Sequence, residues 1–572
     1  MTRTRTKATI TCAATFVAAL TIAHPLSAQQ KISESRIQEL IRLAAEQAGV
    51  QQPTSPASAQ TPAGAVVPIT LDESVRLALD RNLDIAVQRL NPELQDITIA
   101  SAGAAYHPTL TSLFGPQSST TLPTSQTNLG AGGTAPITDT LTYNAGVTQS
   151  IPWGGGSLTA NFNNFRRTST SNNVTYNPLL QSNWQFFYTQ PLLRNFGMDS
   201  TRQTLAVSKI NRDISDVQLK ATIINTLSNV RNAYWDYVFA TQAVDVAKQS
   251  LALADKLVQD NQTRVEVGTM APIDVVQAQS EAATRRQALV QAESTKRTTE
   301  LALKRLIVSG TQDPNWSATL DPVDRPDFRP ESVDVGGAIR NALDARTDIA
   351  IARKNVEANN ITLKLLQDQL KPQADLQLTY LTQGLAGTEL VRTNTGVLGS
   401  PVTTQNSHAV TEAFNALFRG RYPIRTAQIN FSYPLGLSAA KANVARARVQ
   451  LNQIGAQMKQ IELQVATDVT NAAISVQNNA QAVQAAQAAR ELSQKKLEAE
   501  QSKFEVGMST NYQVVQAQRD LADAQNTELR NILSYRKALV ELERLQQTTL
   551  SSAGITVLGG GGGGTTGTRT GG

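Results

Sequence analysis

The sequence predicts an α+β protein of two structural repeats, in which long coiled-coil helical hairpins alternate with β-strands. Three observations lead to this fold class. The chain contains an internal duplication, long runs with apolar residues at alternating three- and four-residue spacings, and short segments in which apolar and polar residues alternate.

The duplication is clearest in a phrase that occurs twice, EVGTMAPIDVVQAQ at 266–279 and EVGMSTNYQVVQAQ at 505–518. Upstream, ALDRNLDIAVQRLNPELQDIT from Ala78 resembles ALDARTDIAIARKNVEANNIT from Ala342. The offset is 239 residues for the first pair and 264 for the second. The first copy therefore carries about 25 extra residues, which we place between its upstream match and its long helix.

This duplication divides the chain into repeat 1, an inter-repeat segment and repeat 2, at 70–308, 309–333 and 334–550. Residues 29–69 are predicted to form a short helix and a linker, and residues 551–572 a glycine-rich tail.

Residues 1–28 have the pattern of a secretory signal peptide, with three basic residues before an apolar run and small residues at the expected cleavage site. Its removal lowers the formal net charge from +6 to +3, which does not favour nucleic acid as a partner. The only cysteine, Cys12, lies in this signal, so the mature chain is predicted to have no disulfide and no cysteine-bound metal.

Each repeat contains a long helix that ends at a hairpin tip. Proline and glycine are absent from Asp199 to Asn261, and the second copy keeps the same apolar spacing from Val444 to Val465, which is typical of coiled coils. Gly268 and Gly507 end these helices, and returning helices are predicted at about 273–308 and 512–547. Helices of about 72–105 and 334–370 would lengthen the returning track.

Between the helices, apolar residues recur at every second position, for example at 374–382 and 427–433 in repeat 2. Repeat 1 holds strand candidates from Thr109 to Phe114 and around 184–189, within a strand region of about 106–192. Such alternation fits strands that cross a membrane, and it fits a solvated sheet equally well. Four strands are too few to close a barrel, so a membrane barrel would need several chains. A further hairpin is predicted from 143–151 and 158–165. The sequence does not decide between its joining the barrel and its projecting outward.

The order of these motifs resembles the TolC-type outer-membrane efflux proteins over nearly all of residues 70–550. The resemblance rests on ITLDESVRLALDRNLDI, His107-Pro108, the junctions TQPLLRNFG and SYPLGLS, and the two VG tips followed by VVQAQ. It implies a homotrimer whose twelve strands, four from each chain, form one barrel in the outer membrane above a helical tunnel through the periplasm. It also implies a passive channel in a tripartite efflux or type I secretion system, with a periplasmic adaptor and an inner-membrane pump as partners.

The resemblance also assigns residues to two sites. The adaptor-docking tips would be Val267, Gly268 and Thr269 in repeat 1 and Val506, Gly507 and Met508 in repeat 2. The periplasmic constriction would be lined by Asp274, Gln277, Gln513 and Gln516. Since glutamine replaces acidic residues of the family and Ser509 replaces an arginine, we expect weaker discrimination between ions here.

Two other functions are compatible with parts of the sequence. An enzyme is not expected, because His107 and His408 lack metal-ligand spacing and no nucleophile or phosphate-loop motif occurs, so no cofactor is implied. An exported structural coiled-coil protein of the cell envelope is the stronger alternative. It would explain the heptads and leave the alternating strands without a role.

Overall fold

The computed structural model describes residues 66–549, except 123, 125–128, 131–132, 326–327, 394–399 and 437. The predicted signal peptide, most of the 29–69 segment and the glycine-rich tail lie outside these residues. β1 (Val66–Ile69) precedes repeat 1. Repeat 1 and the segment after it contain α1 (Leu71–Arg81), α2 (Leu83–Gly103), β2 (Thr109–Thr120), β3 (Ile137–Ser150), β4 (Ser157–Ser169), β5 (Tyr176–Pro191), α3 (Ser200–Glu266), α4 (Pro272–Ile307), α5 (Pro314–Ser317) and β6 (Thr319–Pro322). Repeat 2 contains α6 (Val335–Ala345), α7 (Thr347–Asp368), β7 (Gln373–Arg392), β8 (Val402–His408), α8 (Val410–Phe418), β9 (Pro423–Ser432), α9 (Ala439–Glu505) and α10 (Asn511–Gln546).

The long helices α3 and α9 each have 67 residues, and at 1.5 Å per residue each is about 100 Å long. Each begins at a residue whose side chain caps the first turn. Asp199 accepts a hydrogen bond from the Arg202 amide at 2.8 Å, and Ser438 accepts one from the Lys441 amide at 3.4 Å. Their buried residues keep the three- and four-residue spacing, as in Leu227, Val230, Tyr234, Tyr237, Val465, Val469, Val476 and Val483.

The helices form two antiparallel tracks, as the fold class predicted. In repeat 1, α1 and α2 pack along the part of α3 nearer the strands, and α4 packs along the part nearer the tip. In repeat 2, α6 and α7 pack on α9 in the same way, with α10 beyond them. Contacts of α3 with α7 and with α10 join the two repeats into one helical body.

The predicted helices of about 72–105 and 334–370 are each broken in two, which corrects the sequence analysis. Asn82 leaves the helical conformation with ψ 125°, and its side chain accepts hydrogen bonds from the amides of Asp84 and Ile85. Its amide group also donates to the carbonyl oxygen of Leu306 at 2.9 Å. Asparagine therefore caps the second helix and fastens the break to the end of α4. Arg346 occupies the equivalent break, with ψ 133°.

The inter-repeat segment and the residues just before repeat 1 also differ from the prediction. A linker is expected at 66–69 and irregular structure at 309–333, whereas β1 and β6 pair in parallel, from Val66 with Thr319 to Ile69 with Pro322. Two tyrosines of α3 hold this pair. Tyr234 donates a hydrogen bond to the Ile69 carbonyl oxygen, and Tyr237 donates one to the Leu320 carbonyl oxygen. Burial of Ile69 and Leu320, one residue from each strand, together with these two hydrogen bonds, explains why so short a pair forms.

The remaining strands of the described residues form one seven-stranded sheet, which has three strands more than the four that the resemblance implies for the barrel. The order is β2-β3-β4-β5-β7-β8, and β9 also pairs with β7. β9 pairs with residues 373–382 of β7, beside the helices, and β8 pairs with residues 387–392, farther out. The two extra strands near the helices come from the hairpin that the sequence left unplaced, now β3 and β4. β3 and β4 pair with the strands next to them in the chain, β2 and β5, whereas β7 of repeat 2 joins the sheet at β5. A local period identifies strands and does not set their order in the sheet.

Residues directly opposite across an antiparallel pair share a face of the sheet. One face, called here the apolar face, carries Leu110, Phe114, Tyr143, Val147, Leu158, Phe162, Trp184, Phe186, Tyr188, Leu376, Leu378, Tyr380, Ala427, Ile429 and Phe431. The other, called here the polar face, carries Thr109, Asn144, Thr148, Thr159, Asn161, Asn163, Asn183, Gln185, Gln377, Thr379, Thr426, Gln428 and Asn430. The polar face is interrupted by Leu113, Phe165, Phe187, Leu381 and Ile424. The apolar face is interrupted by Gln149, Asn164, Arg166, Gln190 and Arg425, the last of which lies beside Tyr380. This alternation has the pattern of a membrane barrel with lipid outside and water inside.

Candidate functional site

The two hairpin tips have nearly the same backbone. After α3, the Gly268 amide donates to the Val265 carbonyl oxygen and the Thr269 amide to that of Arg264, at 3.0 and 2.9 Å. After α9, the Gly507 and Met508 amides donate to the carbonyl oxygens of Phe504 and Lys503, at 3.2 and 2.8 Å. These bonds close the two helix ends through a left-handed residue.

The turn of each tip favours glycine, because φ is +76° at Gly268 and +78° at Gly507. A β-carbon added at either position would meet no atom within 4 Å, so the space around both glycines is open. The returning helices then begin differently. Pro272 starts α4, whereas Thr510 and Gln513 form a capping box at the start of α10.

Apolar side chains project from both tips into solvent. Val267 is 69% exposed, Val506 71% and Met508 79%, and Ile273 and Tyr512 in the first turns of the returning helices are exposed as well. Thr269 is exposed too, and its hydroxyl donates to the Arg264 carbonyl oxygen. Exposed apolar groups that cluster on one surface are typical of interaction sites.

The structure also binds the two tips of one chain to each other, which the sequence analysis did not predict. Asn261 is fully buried, and its amide group donates to the Asn511 side-chain oxygen at 2.9 Å. The Asn511 amide group in turn donates to the Asp274 carbonyl oxygen at 3.2 Å. Arg264 donates to the Phe504 carbonyl oxygen at 3.1 Å and lies over the Phe504 ring.

The sequence contains one signal for this link, which is the asparagine at position 261 among the apolar residues on one side of α3. A buried amide needs hydrogen-bond partners, so such a residue indicates a polar contact inside the protein. Leu257, Ala278, Leu497, Phe504, Val514 and Ala517 form an apolar cluster beneath the link and draw on both hairpins. The two tips are therefore neighbours in one packed unit.

The four constriction candidates occupy the first two turns of the returning helices. Asp274 is half-buried and Gln277 is exposed on α4. On α10, the Gln513 side-chain oxygen accepts bonds from the Ser509 hydroxyl at 2.7 Å and the Thr510 amide at 3.3 Å. Gln516 donates to Asp520 at 2.8 Å. Both glutamines thus have partners within their own helix or its cap.

A buried ion-pair cluster lies next to the tips and joins the returning helices of the two repeats. Only 2% of the Glu281 side chain is exposed, and it accepts hydrogen bonds from Arg285 at 2.7 Å and from Arg519 of α10. Burial by itself would raise the pKa of the Glu281 carboxyl, but the two guanidinium groups outweigh that effect and hold this pKa below its ordinary value.

Among the described residues, no group of three or more histidine, cysteine, aspartate or glutamate side chains has a geometry that could hold a metal ion. In the same part of the chain, no helix is both long and apolar enough to span a membrane.

Comparisons with known proteins identify the architecture. A family model described as outer membrane efflux protein matches residues 75–308 and 338–546. The comparison with curated proteins found no match. Among solved structures, the chain is similar to the Campylobacter jejuni CmeC outer membrane channel, with 15% identity, a TM-score of 0.58, and 83% of this chain and 85% of that chain covered.

Two further structures give the same result. The outer membrane protein VceC from Vibrio cholerae has 15% identity and a TM-score of 0.58, with 83% of this chain and 95% of that chain covered. The open state of the Neisseria gonorrhoeae MtrE outer membrane channel has 15% identity and a TM-score of 0.56, with 83% of this chain and 88% of that chain covered. At this identity the likeness concerns the fold.

Proposed function

The chain belongs to the outer membrane efflux protein family, and from this premise we propose that its paired tips dock a periplasmic adaptor. The protein is the outer-membrane channel of an efflux system and extends into the periplasm. Channels of this family are passive, are trimers and work with an adaptor and an inner-membrane pump. Family membership decides against the envelope spacer that the sequence left open.

One observation carries the docking proposal. Each chain presents two nearly identical glycine turns, flanked by exposed apolar residues and fixed side by side by the link from Asn261 to Asn511. A trimer would present three such pairs. Helical hairpins of an adaptor that carry apolar residues at their own ends would cover Val267, Val506 and Met508, and the glycines would let the backbones approach closely.

Replacing Gly268 and Gly507 by asparagine tests docking separately from the turn. Asparagine tolerates the left-handed conformation, so the turns should persist while each gains a protruding side chain. We expect the free energy of adaptor binding to become less favourable by about 1 to 3 kcal/mol, which is the usual cost of an extra group in close packing. The affinity would be measured by pull-down of the adaptor with the purified trimer.

Gly436 provides the matched control for this experiment. It also has a positive φ, +85°, and open space around it, but it lies between β9 and α9, away from the tips. Gly436→Asn should leave adaptor binding unchanged. Unchanged binding in the double tip variant would mean that the tip glycines serve only the turn.

We further propose that Asp274 supplies the remaining cation preference at the periplasmic end, since the matching position in repeat 2 is the neutral Gln513. Two unit charges 4 Å apart in water interact by about 1 kcal/mol, a factor of about five in local ion concentration. Asp274→Asn should therefore lower the potassium-to-chloride permeability ratio several-fold, read from the reversal potential in planar bilayers. Asp245→Asn, an exposed change in the middle of α3, should not alter it. Equal permeability ratios in the two variants would show that Asp274 does not line the constriction.

A further inference from the structure

We propose that the outer-membrane barrel of the trimer contains eighteen strands, six from each chain, and is wider than the twelve-stranded barrel that the family resemblance implies. The six are β2, β3, β4, β5, β7 and β9. This inference rests on the proposed function, because it takes the trimeric membrane channel as given. The added strands are the hairpin of β3 and β4, which lies between β2 and β5.

The hairpin is part of the sheet over its whole length. β3 pairs with β2 from Thr109 opposite Thr148 to Thr120 opposite Ile137. β4 pairs with β5 from Ser157 opposite Thr189 to Arg167 opposite Leu179. With both outer edges of the hairpin paired in this way, β2 and β5 have no direct contact with each other in the sheet.

The side chains of the hairpin continue both faces of the sheet. Val147, Leu158 and Phe162 lie on the apolar face, beside Leu110, Tyr188 and Trp184 of the neighbouring strands. The polar face receives Asn144, Thr148, Thr159, Asn161 and Asn163, and the Asn163 side chain donates to that of Asn183 at 3.1 Å. In a barrel, the apolar residues of every strand must lie on the same face as those of its neighbours. A hairpin that projected away from the barrel would not need this match.

The turn of the hairpin is fitted to the end of the sheet next to the helices. The Ile151 amide donates to the Gly156 carbonyl oxygen at 2.7 Å, and Gln190 donates to the Gly154 carbonyl oxygen at 2.8 Å. At Gly155 a β-carbon would lie 2.6 Å from the Asn195 carbonyl oxygen, so glycine is needed where the turn touches the junction of β5 and α3.

The two edges near the helices identify what closes the barrel. β9 is exposed along its whole length in a single chain, and β2 along almost all of its length. Six strands are too few to close a barrel, and lipid does not tolerate open edges. The strand that completes β9 is therefore β2 of a second copy, and three copies close the ring.

This barrel has consequences for what can leave through it. Barrel diameter grows roughly in proportion to strand number, so eighteen strands give about one and a half times the diameter of twelve. The polar face is lined mainly by neutral amides and hydroxyls, with Asp375 at the end nearest the helices as its acidic residue in the part of β7 that pairs with β9. The barrel thus suits hydrophilic cargo of large cross-section and selects little by charge.

A cysteine scan tests the placement of the hairpin. The mature chain has no cysteine of its own. Single cysteines at Thr159, Asn161 and Asn163 on the polar face, and at Val147, Leu158 and Ala160 on the apolar face, would be labelled with a charged maleimide in trimers reconstituted into lipid vesicles. Polar-face cysteines should react about tenfold faster or more, because a thiol must be solvated to ionise and react. Equal rates on the two faces would overturn the eighteen-stranded barrel.

Gln185→Cys and Phe186→Cys on β5 calibrate the scan, because β5 belongs to the barrel for either strand number. Alternation on β5 without alternation on β4 would refute the eighteen strands and leave the channel function intact. Loss of alternation on β5 as well would refute the membrane sheet and the proposed function together. Independently, electron cryo-microscopy of the trimer should count eighteen strands in cross-section, and a count of twelve would overturn the inference.

Discussion

Replacing Ile429 by arginine is expected to prevent most of the protein from assembling into the outer membrane. Ile429 lies on the apolar face of β9, opposite Leu376 of β7, and is 63% exposed in a single chain. A lipid-facing arginine near the middle of a membrane barrel costs about 2 to 4 kcal/mol. Because the trimer contains three copies of the residue, this cost arises three times in every channel.

Gln428→Arg is the matched control, since Gln428 is the neighbouring residue of the same strand and lies on the polar face. Its arginine would point into water and should be tolerated. The measurement is the yield of folded trimer in lipid vesicles, followed by urea unfolding of the trimer that forms. Equal losses in both variants would show that the two faces do not separate lipid from water.

The second large effect is expected from Glu281→Gln. This change leaves Arg285 and Arg519 without their shared carboxylate in a place where Glu281 is almost fully buried. Removing one member of a buried ion pair typically costs about 3 to 5 kcal/mol, and we expect about 2 to 3 here because 48% of the Arg519 side chain remains in water. Denaturant midpoints of the periplasmic helices, followed by circular dichroism, measure the loss.

The same carboxylate gives this prediction a pH dependence with a defined sign. The pKa of Glu281 is lower in the folded chain than its ordinary value of 4.5. Its stabilisation is therefore complete above that ordinary value and is lost as the pH falls below it, through the lowered pKa. The difference between wild type and Glu281→Gln should shrink in that acidic range. Asp245→Asn, an exposed change on α3 away from the cluster, is the control and should cost nothing measurable.

The features that the sequence predicted correctly are those fixed by short stretches of chain. The long helices follow from the apolar spacing over many turns, and their ends follow from single residues such as Gly268 and Pro272, whose conformational preferences act locally. The breaks at Asn82 and Arg346 were missed, because an asparagine or arginine inside a helical pattern becomes a break only when its new partners lie elsewhere in the fold.

The sheet shows the limit of sequence reasoning more strongly. The segments that became β3 and β4 were recognised as strands, but their place in the sheet was not, since contacts such as that of Asn163 with Asn183 form only when β4 pairs with β5. The short helix α8 was missed for a similar reason. It lies against the apolar face, where Leu417 and Ala413 are buried on β7, and its sequence alone is too short to predict a stable helix.

The contacts of Asn261 with Asn511 and of Arg264 with Phe504 join the ends of the two helical hairpins of each chain. They therefore limit how many of these ends can move independently at the periplasmic end. Six hairpin ends that moved separately would need six displacements to widen the passage. Ends linked within each chain would move as three pairs, and the resistance to widening would then lie at the three interfaces between subunits. A partner that bound both ends of a pair would displace them together.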